Sequence, residues 1–264
     1  MMVNEALPST ISRVAIVTGA AQGIGEAIAL RLADDGIDVV VNDLPKKRDQ
    51  LDSVVKAIQA KGRRAVAVVG DATVESDVVA LVDAAVKEFG SLDIMIANAG
   101  TIEMKPLVDM TVEDWERVMS VNALSVMLAY KHAARQMIKQ GRGGRIVGAA
   151  SMAGKKGFAY VSSYCASKFA VRGLTQSAAL ELAEHKITVN SYAPGIIPTG
   201  LTQHPDDEKN GGPCSTFLLG AGLPPSTPSA PPTVVAELVA YIVKPEAHFL
   251  TGQCLSIDGG IVMG

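Results

Sequence analysis

Seven short β-branched runs separated by longer amphipathic stretches constrain this chain more than any other feature. Residues 14–17, 39–41, 65–69, 94–97, 145–148, 188–191 and 254–257 read as strands. Most are continuously apolar, as in parallel sheets whose strands are covered on both faces. Helical periodicity fills the intervals at 26–33, 51–60, 78–89, 112–139, 164–183 and 234–243. Repeated strand-helix units imply an α/β chain with a doubly wound, seven-stranded parallel sheet and helices on both faces, in a single domain spanning residues 1–264.

One segment breaks the pattern. Between Pro205 and Pro232 lie seven of the chain's 13 prolines, together with Gly211, Gly212, Gly220 and Gly222. Such a stretch cannot sustain a long helix or a central strand. It reads either as a surface insert or as a mobile lid, at about 199–232, over a site at the carboxyl edge of the sheet.

Composition narrows the function. With 48% hydrophobic and 19% charged residues the chain can bury a core, and a net charge of −3 gives no electrostatic case for nucleic acid. Lys46, Lys47 and Arg48 form the densest basic run, which reads as a solvated loop. Cys165, Cys214 and Cys254 are odd in number and lack metal-ligand spacing, so neither a disulfide framework nor a metal site is expected. The N-terminal segment has no long apolar run, and no later stretch approaches the roughly 18 apolar residues that span a bilayer. The expectation is a soluble, cytoplasmic protein. His132, His185, His204 and His248 are scattered and read as surface or packing residues.

The first strand runs into Gly19-Ala20-Ala21-Gln22-Gly23-Ile24-Gly25 and then a helix. Absent side chains in such a turn let the backbone approach a pyrophosphate, which the helix N-terminus favours through its N–H groups and dipole. A tight turn without ligand would also use glycines. Asp43, after the second strand, suits the ribose hydroxyls and repels a 2′-phosphate, so NAD is favoured over NADP; Gln22 adds no cation to the turn. The basic run at 46–48 keeps a dual-cofactor reading open. Asp71 and Ala72 follow the third strand, where the carboxylate could meet the adenine amino group or cap the next segment. Asn98-Ala99-Gly100 ends the fourth strand, where small residues permit close passage of a cofactor and Asn98 can tie neighbouring strands.

Tyr164 and Lys168 lie at i and i+4 on a helical stretch, so they share a face, and Ser151 lies upstream. A phenol is a poor acid or base at neutral pH unless a neighbouring cation lowers its pKa, and Lys168 is that cation in this reading. The pair alone could equally be a surface contact.

Taken in order, Thr18-Gly19-x-x-x-Gly23-Ile24-Gly25, Asn98-Ala99-Gly100, Asn122, Ser151, Tyr164-x-x-x-Lys168 and Pro194-Gly195 resemble the short-chain dehydrogenase/reductase family from about residue 13 to 261. The resemblance implies a Rossmann fold and a nicotinamide cofactor. It implies that Tyr164 exchanges a proton with the substrate oxygen, that Lys168 lowers the tyrosine's pKa and holds the nicotinamide ribose, and that Ser151 positions the substrate oxygen. It further implies that Asn122 binds a water linking Lys168 to solvent, that Thr199 holds the carboxamide, and that Ile197 packs near the ring beside Pro194 and Gly195. Met152, Phe158, Tyr160, Ile102, Ile196 and Ile197 are expected to border a neutral secondary alcohol or ketone. The segment from Ser151 to Phe158 resembles members acting on diacetyl, acetoin and related diols, with 3-oxoacyl thioester, polyol and ring-ketone reductases as alternatives. The family implies a homotetramer, for which Ala129, Ala133, Ala134, Ala166, Ala170, Ala178 and Ala179 offer small helix faces; internal packing would use the same residues. A non-catalytic dinucleotide sensor is the reading from another class.

Overall fold

The computed structural model describes residues 12–263. The N-terminal segment read as lacking an apolar run lies outside them, apart from its last two residues. Seven parallel strands form one sheet in the order β3-β2-β1-β4-β5-β6-β7: β1 Val14–Thr18, β2 Asp38–Asp43, β3 Ala65–Val69, β4 Ile94–Ala97, β5 Gly144–Ala149, β6 Ile187–Pro194 and β7 Cys254–Ile257. All seven expected strands are present, four of them extended by one to three residues at an end where neighbours continue the pairing.

Alternation along the strands builds two cores. Ala15, Val17, Val39 and Val41 face one side and pack with Ile28 and Leu32 of α1 (Gly23–Asp34), Leu51 and Ile58 of α2 (Arg48–Ala60) and Val239 of a later helix, α9 (Pro232–Ile242). Val14, Ile16 and Val40 face the other. They pack with Leu81 of α3 (Glu75–Phe89), Tyr130 and Ala133 of α5 (Ser125–Gln140) and Val171 of α6 (Ser162–Leu182). Because successive parallel strands wind in opposite directions from β1, a crevice opens at the carboxyl ends of β1 and β4, where the strand order reverses.

Two departures from the expected elements bear on the site. The stretch read as one helix over 112–139 is two, α4 (Val112–Met119) and α5, joined by a π-helical turn over Ser120–Leu124. Asn122 lies in that turn, wholly buried. Its Oδ1 accepts from Thr101 N–H at 2.8 Å, and its Nδ2 donates to Thr101 O at 2.8 Å and Ser167 Oγ at 3.0 Å. Periodicity within a helix carries no trace of this tertiary demand, and π turns of this kind gather at functional sites.

The Pro- and Gly-rich segment forms two short helices, α7 (Asp207–Asn210) and α8 (Ser215–Gly220), around one carboxylate. Asp207 accepts from the N–H groups of His204, Cys214 and Thr216 at 2.9 to 3.0 Å. Those main-chain donors, His204 first, hold its carboxyl down at about 2. A bridge between Ile196 and Ser229, beside Ala230 N–H bonded to Ile196 O at 3.1 Å, joins the two ends of the segment to the body of the fold.

Of the alanines read as small helix faces, Ala129, Ala133, Ala134 and Ala179 are buried against the chain's own sheet, so internal packing claims them. Ala170 is exposed, and the exposed large apolar residues of these helices and the π turn are Leu124, Ile138, Phe169 and Leu180. No helix among the described residues is long and apolar enough to cross a membrane, and no described group of His, Cys, Asp and Glu could hold a metal ion.

Candidate active site

The crevice is a cleft of about 370 Å³ running from Asp43 to Lys168. Every residue assigned to cofactor binding from the sequence lines it except Gly25, which lies behind the turn. A Cβ on Gly25 would collide with the Gly19 carbonyl oxygen and lie 2.6 Å from Asn98 Nδ2, so only glycine lets α1 start this close to β1. Gly19 has φ +62°, and a Cβ there would meet Ala99 Cα at 2.9 Å. The helix begins with Gln22 as N-cap and no side chain capping it, which leaves its first N–H groups free to meet an anion. A cradle with its side chains removed and its donors uncapped fits a dinucleotide pyrophosphate.

Asn98 ties the floor together as expected. Its Nδ2 donates to Thr18 O at 2.9 Å and Gly19 O at 3.1 Å, and its N–H donates to Thr18 Oγ1 at 3.0 Å. Its Oδ1 accepts from the Tyr192 hydroxyl at 2.8 Å. Sequence reasoning missed Tyr192, although a tyrosine inside a buried strand must find a partner for its hydroxyl, and that was the available signal.

At the adenosine end, Asp43 Oδ2 accepts from Ala21 N–H at 3.1 Å and Oδ1 from Leu44 N–H at 2.9 Å, so the carboxylate also braces the glycine turn. Asp71 Oδ1 accepts from the N–H and hydroxyl of Thr73, both at 2.8 Å, which makes it a turn cap at the cleft wall. Lys47 reaches back to Gln22 Oε1 at 2.9 Å and lines the cleft, so one member of the basic run is not a solvated bystander.

At the far end, Ser151, Tyr164 and Lys168 converge. Ser151 Oγ accepts from Ala153 N–H at 3.1 Å, which leaves its proton to donate. Lys168 is buried; its Nζ donates to Ala149 O at 2.8 Å and lies 5.5 Å from the centroid of the Tyr164 ring. Burial pulls its pKa down to about 8. The Tyr164 phenol lies above, not below, its ordinary value, because burial outweighs the opposing hydrogen bond with Ser151. The expected lowering by Lys168 is therefore not part of this geometry, where the ammonium bonds a carbonyl and faces the ring rather than the hydroxyl. Both Asn122 Nδ2 protons are likewise taken up by Thr101 and Ser167, so a water at this residue would have to meet its main chain or the remaining Oδ1 lone pair.

A second, smaller cavity of about 60 Å³ opens from the same end, and both cavities are lined by Ser151 and Tyr164. Met152, Phe158, Ile196 and Ile102 border it as expected. Tyr160 does not: it sits at φ 64° with its side chain half exposed, because the loop turns it outward before α6. Ile197 lines the larger cleft alone. Leu201, Thr202, Phe217 and Leu223 complete the smaller wall from the Pro- and Gly-rich segment, where no periodicity marks which residues point inward.

Residues 13–210 match the family model for short chain dehydrogenases. The chain is 40% identical to L-2,3-butanediol dehydrogenase of Corynebacterium glutamicum, covering 96% of this chain and 99% of that one. It is 42% identical to cis-4-hydroxycyclohexanecarboxylate dehydrogenase of Sinomonas cyclohexanicum, over 94% and 96%. The crystal structure of a short chain dehydrogenase from Mycobacterium paratuberculosis bound to NAD superposes with a TM-score of 0.84 at 32% identity, covering 96% and 98%. Fold and cleft define a nicotinamide-dependent oxidoreductase acting on CH–OH groups. The chain belongs to the short-chain dehydrogenase/reductase family.

Proposed function

We propose that this enzyme prefers NAD and interconverts neutral secondary alcohols and ketones, with Tyr164 as the acid/base. The observation that carries this reading is that Ser151 and Tyr164 line both cavities, with the Lys168 ammonium beside the phenol ring. When bound, the nicotinamide supplies or accepts the hydride.

The chain's own groups handle the oxygen and its proton. Ser151 donates to the substrate oxygen as negative charge develops there. Tyr164, kept protonated at neutral pH by burial, gives that oxygen its proton in reduction and takes it back in oxidation. Lys168 holds charge next to the ring and, with its pKa near 8, can exchange a proton close to working pH. Asn122 positions α6 through Ser167 and would hold a relay water. Thr199, Ile197, Pro194 and Gly195 would hold the nicotinamide end, and Asp71 and Ala72 the adenine end. Asp43 has lone pairs left for ribose hydroxyls and repels a 2′-phosphate, which supports NAD; Lys47 nearby leaves NADP as the lesser cofactor.

The segment at 199–232 acts as a lid on a single catalytic domain. Exposed Leu124, Phe169 and Leu180 on the π turn and α6 support a homotetramer, and free thiols at Cys165, Cys214 and Cys254 suit the reducing cytoplasm. Turnover of ketones by NADH tests the reading. Tyr164→Phe should lower kcat by about 10²–10⁴-fold while NADH still binds. A variant that turns over as fast as the parent would remove Tyr164 from the chemistry and favour a site that only senses the dinucleotide.

A further inference from the structure

The smaller cavity has polar groups at one end only. Beyond Ser151 and Tyr164, the sole lining side chain with an oxygen or nitrogen atom is Thr202, and no lysine or arginine lines the cavity among the described residues. A hydroxyl has one proton to donate and two lone pairs to accept with. Thr202 Oγ1 spends its proton on Ile197 O at 2.6 Å and accepts from Thr199 N–H at 3.1 Å and Cys214 Sγ at 3.4 Å. Nothing is left for a ligand.

Five of the lining backbone donors are also taken. Ala153 N–H goes to Ser151 Oγ at 3.1 Å, Phe158 N–H to Cys165 Sγ at 3.4 Å and Gly195 N–H to Ile257 O at 3.1 Å. On the lid side, Leu201 N–H goes to Thr199 Oγ1 at 3.3 Å and Leu223 N–H to Leu218 O at 2.8 Å. Met152, Phe158, Ile196, Leu201, Phe217 and Leu223 make the rest of the wall apolar. A second hydroxyl, carbonyl or carboxylate carried into this space would give up its water without gaining a side-chain donor or a cation beyond Ser151 and Tyr164.

We propose that the substrate is a monofunctional secondary alcohol or ketone on an apolar skeleton, and that the cavity selects against a second polar group. This rests on the reading that Ser151 and Tyr164 mark the reacting end, and it separates this chain from the relatives named for butanediol and a hydroxycyclohexanecarboxylate.

Two matched pairs test it with NADH and the intact enzyme. 3-Methylbutan-2-one and 3-hydroxybutan-2-one differ by a methyl against a hydroxyl on the same carbon. Cyclohexanone and 4-oxocyclohexanecarboxylate differ by a carboxylate. KM is read beside kcat/KM, because the hydroxyketone's greater electrophilicity raises kcat. The expected result is a KM lower by about tenfold or more for the apolar member of each pair. Leu223→Ser, which places a hydroxyl in the wall, should narrow the first pair's ratio severalfold while NADH affinity stays at the parent value. Equal or lower KM for the polar members, or a ratio unmoved by Leu223→Ser, overturns the inference and leaves the oxidoreductase reading standing. Absence of turnover with all four ketones, with NADH binding intact, overturns both.

Discussion

Replacing Tyr192 by phenylalanine isolates one hydrogen bond beneath the dinucleotide site. The ring sits in β6 at 1% exposure, and its hydroxyl donates to Asn98 Oδ1 at 2.8 Å. That bond decides which way the Asn98 amide faces, and so presents Nδ2 to the Thr18 and Gly19 carbonyls that open the glycine turn. Tyr192→Phe removes an oxygen, leaves the apolar packing in place and orphans Oδ1. A buried acceptor without its donor costs roughly 1–3 kcal/mol. Asn98 is only half-buried and borders the cleft, so water restores part of this, and about 1.5 kcal/mol is the working figure, close to tenfold in an equilibrium constant. The loss should divide between folding and binding. Fluorescence titration should find the NADH Kd raised severalfold, urea unfolding should find stability lower by up to about 1 kcal/mol, and kcat at saturating NADH should hold. Tyr130→Phe is the control. Its hydroxyl bonds Thr175 Oγ1 at 3.1 Å on the other face of the sheet, so it should lower stability without touching the NADH Kd. If Tyr192→Phe leaves both quantities unchanged, or Tyr130→Phe shifts the Kd equally, the Asn98 network does not set the turn.

Three other outcomes follow from the same geometry. Since Lys168 titrates near 8 beside a protonated phenol, alcohol oxidation should accelerate and ketone reduction slow as pH rises through that value; rates flat from pH 6 to 9.5 would contradict the pairing. Lys168→Met should abolish activity yet stabilise the fold at pH 7. A lysine whose folded pKa is depressed from 10.5 to about 8 destabilises the fold by up to about 3 kcal/mol below pH 8, and that cost fades between about 8 and 10.5, where thermal melts should converge. Asp43→Ser should raise the NADP-to-NAD ratio of kcat/KM by about tenfold or more, since it removes a charge facing the 2′-phosphate; it should also weaken NAD itself, because the Ala21 N–H loses its acceptor. An unchanged ratio would move the discrimination to Lys47.

The elements governed by local periodicity were legible in the sequence, and those governed by distant partners were not. The β-branched runs gave all seven strands because a strand covered on both faces has no other composition open to it. Gly25 and Gly19 were legible because close backbone approach leaves one residue type possible. The π turn at Asn122 was hidden, since it answers to Thr101, twenty-one positions away. Tyr160 was misplaced for a related reason: adjacency to Tyr164 in sequence says nothing about which side of a loop faces the cavity. The reach of Lys47 to Gln22 and the bond between Tyr192 and Asn98 both cross from one strand's end to another's, a relation only the sheet order creates.

The carboxylate of Asp207 satisfies the main chain of the Pro- and Gly-rich segment from within, and the segment's ends join the fold at a seam of Ile196, Ser229 and Ala230. Its apolar underside, Cys214 and Leu218, rests on Met152 and Ile196. A segment whose polar requirements close on themselves is a cassette. Residues from about 205 to 228, beyond the stretch from Ile197 to Thr202 that lines the larger cleft, can be rewritten, or that piece grafted from one family member to another, without disturbing the sheet. On the proposed reading, substrate range can thus change independently of the catalytic groups, with Asp207, the Ile196 seam and the cleft-lining stretch from Ile197 to Thr202 as the places where a graft must match its host.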